Sequence, residues 1–411
     1  MSIAVRSFAK INLGLKIGPA RADGFHQLRT IYQTLALHDV VRVEVQRGSG
    51  IEIRCNDPRV PLDESNTCYQ AAERVLKAVE GRSHARAGQP GVPQGLKPSP
   101  EEFVGGTAKA VPFQNQSQIQ NQSHRPDPSQ VPNQDRFENT ERSQDRHQFQ
   151  NQDHEKIRIG RVIIEIDKRL PVQGGLGAGS SNAVATMLGL ERALGTELAA
   201  EDKMLIAAEI GSDVPLFLIG GTVLGIGRGE EVYPLPDLPR MNLVVVTPPI
   251  SVSTPKAFAQ WDKLVAREAE LTGAGATGTI NKFSQAVDAW LKERVFSQAV
   301  SASGPASGVP AMGGDRAETP LLDLVRAGIE NDFERVVFPE YPDLREVKRV
   351  LECEGARYAS LSGSGSTVYG LFGSGEEAQA AAARMCASGH AAVATTTLTR
   401  EEYWKQLATS N

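Results

Sequence analysis

Pro171-Val-Gln-Gly-Gly-Leu-Gly-Ala-Gly-Ser-Ser-Asn182 is the stretch of sequence that decides the fold. Before it, residues 161–167 alternate apolar and polar side chains, which predicts a half-buried strand. After it, apolar residues recur at helical spacing until Gly195, where a helix would end. Residues 171–181, called the glycine loop below, therefore lie between a strand and a helix N-terminus. Glycines let backbone N–H groups approach an anion, and the helix N-terminus adds unpaired donors, so this loop predicts phosphate binding.

Two common phosphate loops do not fit the glycine loop. A Walker A loop ends in Gly-Lys-Ser/Thr, whereas Gly179 is followed directly by Ser180. The dinucleotide fingerprint requires a third glycine three residues after the second, where this chain has Ser180 after Gly177. A flexible glycine turn without a ligand is the alternative. Four glycines followed by paired serines at a strand-to-helix junction favour phosphate over that alternative.

Length and composition are those of an ordinary globular protein. With 411 residues, 40% hydrophobic and 23% charged, the chain has room for two domains. The net charge of −5 argues against a nucleic-acid or anionic-membrane partner, which a basic surface would favour. The sequence has no signal-peptide core and no apolar run long enough to span a bilayer, so a cytoplasmic location is expected. A monomer and a homodimer both remain open.

Composition also divides the chain. Residues 83–155 are rich in Gln, Asn, Ser and Pro without apolar periodicity, which predicts a disordered insertion. Residues 298–318 are rich in Ala, Gly, Ser and Pro and predict a flexible loop. A buried-strand candidate at 241–247 is expected to open a second domain. We therefore predict an N-terminal domain over residues 1–240 and a C-terminal domain over residues 241–411.

Local patterns before the insertion predict two further elements. Residues 41–45 and 51–54 alternate around a Gly-containing turn, which is typical of a β-hairpin. Residues 66–80 carry apolar side chains on one helical face, and Gly81 is expected to close that helix.

Three polar residues outside the glycine loop are candidates for chemistry. Residues 8–17 alternate cleanly, so a strand would place Lys10 and Asn12 on one face, although a lone Lys on a strand usually points to solvent. Asp213 follows a predicted helix in Gly-Ser-Asp-Val-Pro. Because Pro stands two residues later, spacing alone favours an N-cap for Asp213.

The glycine loop resembles the second motif of the GHMP kinases, Pro-x-x-x-Gly-Leu-Gly-x-Gly-Ser-Ser, which wraps the ATP phosphates. Residues 9–13 resemble their first motif, and residues 361–368 their third, with Ser366 where Pro or Ala is frequent. The resemblance implies an α+β, two-domain GHMP kinase fold, with an N-terminal domain like ribosomal protein S5 domain 2 and an α/β C-terminal domain. It implies an ATP-dependent small-molecule kinase. It also implies Mg²⁺ held mainly by ATP, with no fixed metal ligands and with help from the hydroxyl of Ser180 or Ser181.

The same resemblance assigns roles to residues. Lys10 and Asp213 become the catalytic pair, since Gly-Ser-Asp-Val-Pro-Leu-Phe is similar to the segment that carries the proposed base, and Asn12 orients the acceptor hydroxyl. Closure over the phosphates or the substrate diphosphate is the role implied for Gly363, Ser364 and Gly365. ATP binding falls to the whole glycine loop: Pro171, Val172, Gln173, Gly174, Gly175, Leu176, Gly177, Ala178, Gly179, Ser180 and Ser181.

Specificity is implied by residues 21–28, Arg-Ala-Asp-Gly-Phe-His-Gln-Leu. They resemble the segment of those GHMP kinases that phosphorylate a cytidine diphosphate-linked methylerythritol on the non-mevalonate route to isoprenoid precursors. Phe25 would stack on cytosine in place of the usual Tyr, His26 would read the edge of the base, and Phe258 is the candidate for the opposing aromatic. Phe25 and Phe258 as core residues remain the alternative. Another GHMP kinase, such as homoserine kinase, and a non-catalytic interaction protein acting through the Gln/Asn tract are the competing functions.

Overall fold

The computed structural model describes residues 2–87, 160–172, 174–272, 283–285, 287–288 and 330–407. Gln173, most of the predicted insertion and the predicted flexible loop at 298–318 lie outside the described residues. Two β-sheets with helices packed against them make up the described part of the chain.

The first sheet is organised around a long central strand. Its strands are β1 (Ser2–Ala20), β2 (His26–Gln46), β3 (Ile51–Cys55), β4 (Arg161–Asp167), β5 (Thr222–Ile226) and β6 (Glu231–Pro234). β2 pairs antiparallel with β1 along one edge, and with β4 and β5 in succession along the other. β3 is parallel to β4, and β6 is antiparallel to β5. The predicted strands at 8–17 and 161–167 are therefore confirmed as parts of β1 and β4.

The predicted hairpin of β2 and β3 is wrong. β4 lies between these two strands, with Ile166 opposite Val41 of β2 and Ile164 opposite Ile53 of β3. The side-chain alternation of a strand marks a half-buried surface but does not name the pairing partner. Here the partner comes from beyond the insertion, so no local pattern could have supplied it.

Helices cover one face of the first sheet. They are α1 (Thr67–Ala87), α2 (Ala178–Leu194), α3 (Ala200–Ile210) and a 3₁₀ turn at Pro215–Leu218. α2 packs closely on the strands because Gly189 has no Cβ: one built there would lie 2.8 Å from Cγ2 of Val43. Gly195 ends α2 with φ of 62°, as predicted.

The expected end of α1 at Gly81 is wrong, since the helix continues to Ala87. One interior glycine costs a helix only about 1 kcal/mol relative to alanine. This cost is too small to end a helix by itself. Among the residues that the structure describes, no helix combines the length and apolar character needed to cross a membrane.

The second sheet consists of β7 (Asn242–Val246), β8 (Tyr358–Leu361), β9 (Val368–Phe372) and β10 (Ala392–Thr396). These four antiparallel strands lie in the order β10-β7-β9-β8. The helices of this part of the chain are α4 (Thr254–Thr272), α5 (Glu334–Glu340), α6 (Pro342–Cys353), α7 (Gly375–Ala387) and α8 (Arg400–Leu407). The chain leaves the first sheet after Pro234 and enters the second at Asn242. A domain boundary at 240/241 stays a prediction.

β1 and α8 connect the two sheets. Tyr403 of α8 is buried in the core of the first sheet, where its hydroxyl donates to the carbonyl oxygen of Phe217 at 2.6 Å. On β1, the Leu15 N–H donates to Glu330 O, and the Asp332 N–H donates back to Leu15 O. The strand that carries Lys10 and Asn12 is thus fixed where the two sheets meet.

Candidate active site

Two cavities adjoin the glycine loop, and Gly175 lines both. The smaller cavity, about 350 Å³, lies between the glycine loop and the segment that leads into α1; Asn66, Thr67, Lys168 and Asn182 contribute to its walls. The larger cavity has a volume of about 710 Å³. Its lining includes Lys10, Asn12, Phe25, His26, Tyr32, Ser212, Asp213, Arg228, Thr254, Phe258, Gly363, Ser364 and Gly365.

The glycine loop forms the predicted strand-to-helix turn. Gly175 and Gly177 have φ of 79° and 68°, the left-handed region that favours glycine, and Gly177 is the N-cap residue of α2. A Cβ at Gly175 would overlap the carbonyl oxygen of Ser362, and one at Gly177 would lie 3.0 Å from Cγ of Lys10. The first N–H groups of a helix lack intrahelical partners, so α2 presents donors at this turn.

The segment between β8 and β9 packs directly on the glycine loop. Ser362 Oγ donates to Gly175 O at 2.9 Å, and the Thr367 N–H donates to Gly174 O at 3.1 Å. Asn331, just before α5, donates from Nδ2 to Gly363 O at 2.7 Å. The structure therefore brings the second and third sequence motifs into contact.

Lys10 and Asp213 meet beside the same loop. Lys10 Nζ lies 3.1 Å from Asp213 Oδ2 and donates to Asn12 Oδ1 at 2.7 Å. Lys10 is buried rather than solvent-facing, while about a third of the Asp213 side chain stays exposed to the cavity. The 3₁₀ turn begins at Pro215, and its N-cap residue, Val214, has no side-chain cap. The N-cap alternative for Asp213 is therefore wrong.

Tyr32 is a site residue that the sequence did not reveal. Its hydroxyl donates to Asp213 Oδ1 at 3.0 Å, opposite the oxygen that pairs with Lys10. Burial, and after it the negative charge of Asp213, raise the pKa of the Tyr32 phenol well above its usual range, so the donor keeps its proton. Tyr32 pairs with Asn12 across β1 and β2, and this register could not be read from either strand alone.

Aromatic residues form the far wall of the larger cavity. Phe25 is 51% exposed, with the guanidinium of Arg228 5.0 Å from its ring centre, so the core alternative for Phe25 is wrong. His26 is buried; its ring stacks on Phe258 at 4.9 Å, and its Nε2 lies 2.7 Å from Asp262 Oδ1. Phe258 both packs against the second core and lines the cavity. Arg228 and Asp262 carried no sequence signal, since each becomes relevant only through its contact with residues 25–26.

Comparison with known proteins agrees with this geometry. Models of the GHMP kinases N terminal domain and of the GHMP kinases C terminal domain match residues 147–221 and 318–391. A 4-diphosphocytidyl-2-C-methyl-D-erythritol kinase of Acaryochloris marina is 27% identical over 378 residues, covering 92% of this chain and 89% of the relative. The protein of that name from Solibacter usitatus is 29% identical over 369 residues, covering 90% and 80%.

Solved structures share the fold. A crystal structure of 4-(cytidine 5'-diphospho)-2C-methyl-D-erythritol kinase superposes with a TM-score of 0.56 at 24% identity, covering 96% of this chain and 99% of the other. Homoserine kinase from Cytophaga hutchinsonii superposes with a TM-score of 0.55 at 16% identity, covering 97% and 95%.

Matches to the models of the N- and C-terminal GHMP kinase domains, together with kinase relatives aligned over about 90% of the chain, identify a small-molecule kinase. These matches argue against the competing function of a non-catalytic interaction protein. Within that class the chain resembles the 4-diphosphocytidyl-2-C-methyl-D-erythritol kinases.

Proposed function

We propose that the protein transfers the terminal phosphoryl group of ATP to the 2-hydroxyl of 4-diphosphocytidyl-2-C-methyl-D-erythritol, in non-mevalonate isoprenoid precursor biosynthesis. The observation that supports this most is the Lys10–Asp213 pair, 3.1 Å apart beside the glycine loop and open to the larger cavity. A phosphate cradle, a cation and a carboxylate are the groups that phosphoryl transfer to an alcohol needs.

ATP is assigned to the smaller cavity, with its phosphates on the glycine loop. The unpaired N–H groups at the start of α2 and the positive end of the helix favour the charged phosphates. Among the described residues, no group of three or more His, Cys, Asp or Glu could hold a metal. The hydroxyl of Ser180 or Ser181 would assist a Mg²⁺ ion held mainly by ATP, and such an ion would neutralise charge on the phosphates.

Asp213 is assigned as the base that takes the proton of the acceptor hydroxyl. The freed oxygen forms a bond to the terminal phosphorus while the bond from that phosphorus to ADP breaks. Lys10 keeps the carboxylate ionised and stabilises negative charge on the group in transfer. Asn12, whose Nδ2 donates to Thr30 Oγ1 at 2.7 Å, is fixed on the same face to orient the hydroxyl.

The cytidine end of the acceptor is assigned to the aromatic wall. The exposed face of Phe25 offers a stacking surface, and Arg228 backs the other face. Stacking needs only the ring, so Phe in place of Tyr preserves it. His26 would read the edge of the base, held by Asp262 and Phe258, while Gly363, Ser364 and Gly365 would close over the diphosphate.

A substrate panel tests the proposal. Purified protein with ATP and Mg²⁺ is expected to release ADP when 4-diphosphocytidyl-2-C-methyl-D-erythritol is added, in a coupled assay. Homoserine and mevalonate serve as competing acceptors at equal concentration. Faster turnover with homoserine would overturn the proposed acceptor and favour a homoserine kinase.

Tyr32→Phe is expected to lower kcat about 10- to 100-fold while leaving the KM for ATP within about twofold. Loss of a hydrogen bond to a charged group costs about 1.5–3 kcal/mol, and about 1.4 kcal/mol is tenfold in rate. Phe keeps the ring beside Lys10, whose Nζ lies 5.3 Å from the ring centre. Steady-state kinetics with both substrates varied measure the effect.

Tyr403→Phe is the matched control for this prediction. Tyr403 is equally buried, and its hydroxyl donates to a backbone carbonyl instead of to Asp213. We expect this variant to lose stability without a change in kcat. An equal fall in kcat for both variants would show that Tyr32 acts only through stability.

A further inference from the structure

A buried carboxylate with no assigned role lies beneath the glycine loop. Asp39, on β2, is fully buried and accepts four hydrogen bonds. The backbone N–H groups of Arg169 and Leu170 each donate to Oδ1 at 2.7 Å. Lys168 Nζ donates to Oδ2 at 2.7 Å, and Asn182 Nδ2 donates to the same oxygen at 3.2 Å.

The donors to Asp39 come from both ends of the glycine loop. Arg169 and Leu170 immediately precede Pro171, and Asn182 immediately follows Ser181. Asn182 is itself fixed from β1, since Ser7 Oγ donates to its Oδ1 at 2.5 Å. The Asp39 side chain thus links the residues just before the glycine loop to the residue just after it.

Two of the donors also face the smaller cavity. Lys168 and Asn182 both line it, and the Lys168 side chain is only 5% exposed. Burying a carboxylate and an ammonium is costly unless each is paired and hydrogen-bonded. A role confined to stability would not require the carboxylate to join the two ends of a loop that lines this cavity.

We propose that Asp39 is a positioning residue that sets the span of the glycine loop and thereby the affinity of the protein for the nucleotide. The proposal rests on the part of the proposed function that places the nucleotide at this loop, and it does not depend on the identity of the acceptor. In Asp39→Asn the remaining oxygen can still accept from the backbone of Arg169 and Leu170, but the NH2 group that replaces Oδ2 accepts from neither Lys168 nor Asn182, so the far end of the loop is released.

Asp39→Asn tests this with little change in shape. We expect the Kd for ADP, measured by isothermal titration calorimetry on the full chain, to rise about tenfold or more, because charge-assisted hydrogen bonds are roughly twice as strong as neutral ones. The KM for ATP should rise with it, whereas the KM for the acceptor should change by less than about twofold, since the acceptor occupies the other cavity.

Glu191→Gln is the matched control. Glu191 is a buried carboxylate near the other end of α2, where it accepts from the Leu198 N–H at 2.7 Å and pairs with Lys203. This variant should lower Tm and leave the Kd for ADP unchanged. If Asp39→Asn lowers Tm to the same extent and binds ADP like the wild type, the proposal is overturned.

A second variant and a second readout cover the remaining outcomes. If Asp39→Asn does not fold, Asn182→Ala removes only the link to the far end of the loop, and an unchanged Kd for ADP in that variant overturns the proposal. Hydrogen exchange of peptides covering residues 168–182 needs no ligand and should be faster in Asp39→Asn than in Glu191→Gln. The wild-type protein could fail to phosphorylate the cytidyl substrate while exchange is still faster in Asp39→Asn. That result would refute the proposed acceptor and still support the role of Asp39.

Discussion

Replacing Asp213 by Asn is expected to lower kcat by about three orders of magnitude, within the 10²–10⁴ range of general base catalysis. The amide keeps the shape of the side chain but cannot take the proton of the acceptor hydroxyl, and Lys10 loses the negative partner 3.1 Å away. The Kd for ADP should stay close to the wild-type value because the nucleotide is assigned to the smaller cavity, which Asp213 does not line. ADP release at saturating substrates and calorimetry measure the two quantities.

Asp237→Asn provides the control for that experiment. Asp237 is exposed to a similar extent and pairs with Arg400, but it lines neither cavity. Turnover of this variant should match the wild type. Wild-type turnover in Asp213→Asn would remove the assignment of the base.

Gly177→Ala is expected to weaken nucleotide binding and turnover at least tenfold each. With φ of 68°, an L-residue at this position is strained by about 1–2 kcal/mol. The added Cβ would also lie 3.0 Å from Cγ of Lys10 and 3.0 Å from Cζ of Phe217. Relief of these contacts has to shift Lys10 or the start of α2, and either shift disturbs the site. The Kd for ADP and kcat report the two effects.

Gly195→Ala separates the contacts from the backbone strain. Gly195 ends the same helix with φ of 62°, but a Cβ there meets nothing within 4 Å. Gly177→Ala should lose at least as much stability as Gly195→Ala in denaturant unfolding, and only Gly177→Ala should lose function. Equal loss of function in the two variants would refute the role of the glycine loop in this site.

Periodicity predicted the local geometry of the site well. The alternation of residues 8–17 placed Lys10 and Asn12 on one face, and their side chains are hydrogen-bonded at 2.7 Å. The glycine spacing predicted the turn into α2, and Gly195 predicted its end. Each of these features depends on neighbours in sequence, which is why a single chain was sufficient to find it.

Contacts between distant segments could not be predicted in this way. Spacing alone favoured an N-cap for Asp213, and only the family resemblance placed it beside Lys10. Tyr32 and Asp39 enter through the pairing of β2 with β1 and β4, and the misassigned hairpin shows that such pairing is not encoded locally. The roles assigned to Phe25, His26 and Phe258 stay predictions.

The attachment of β1 to both sheets has a consequence for how substrates enter. Its backbone bonds to Glu330 and Asp332, and the bond from Tyr369 to the carbonyl oxygen of Asn12, all lie within a few residues of Lys10. A hinge motion that moved the two sheets apart would have to break these hydrogen bonds, which lie close to Lys10. Under the proposed function, we therefore expect both substrates to reach their cavities without such a hinge, so that Lys10 and Asp213 stay paired between turnovers.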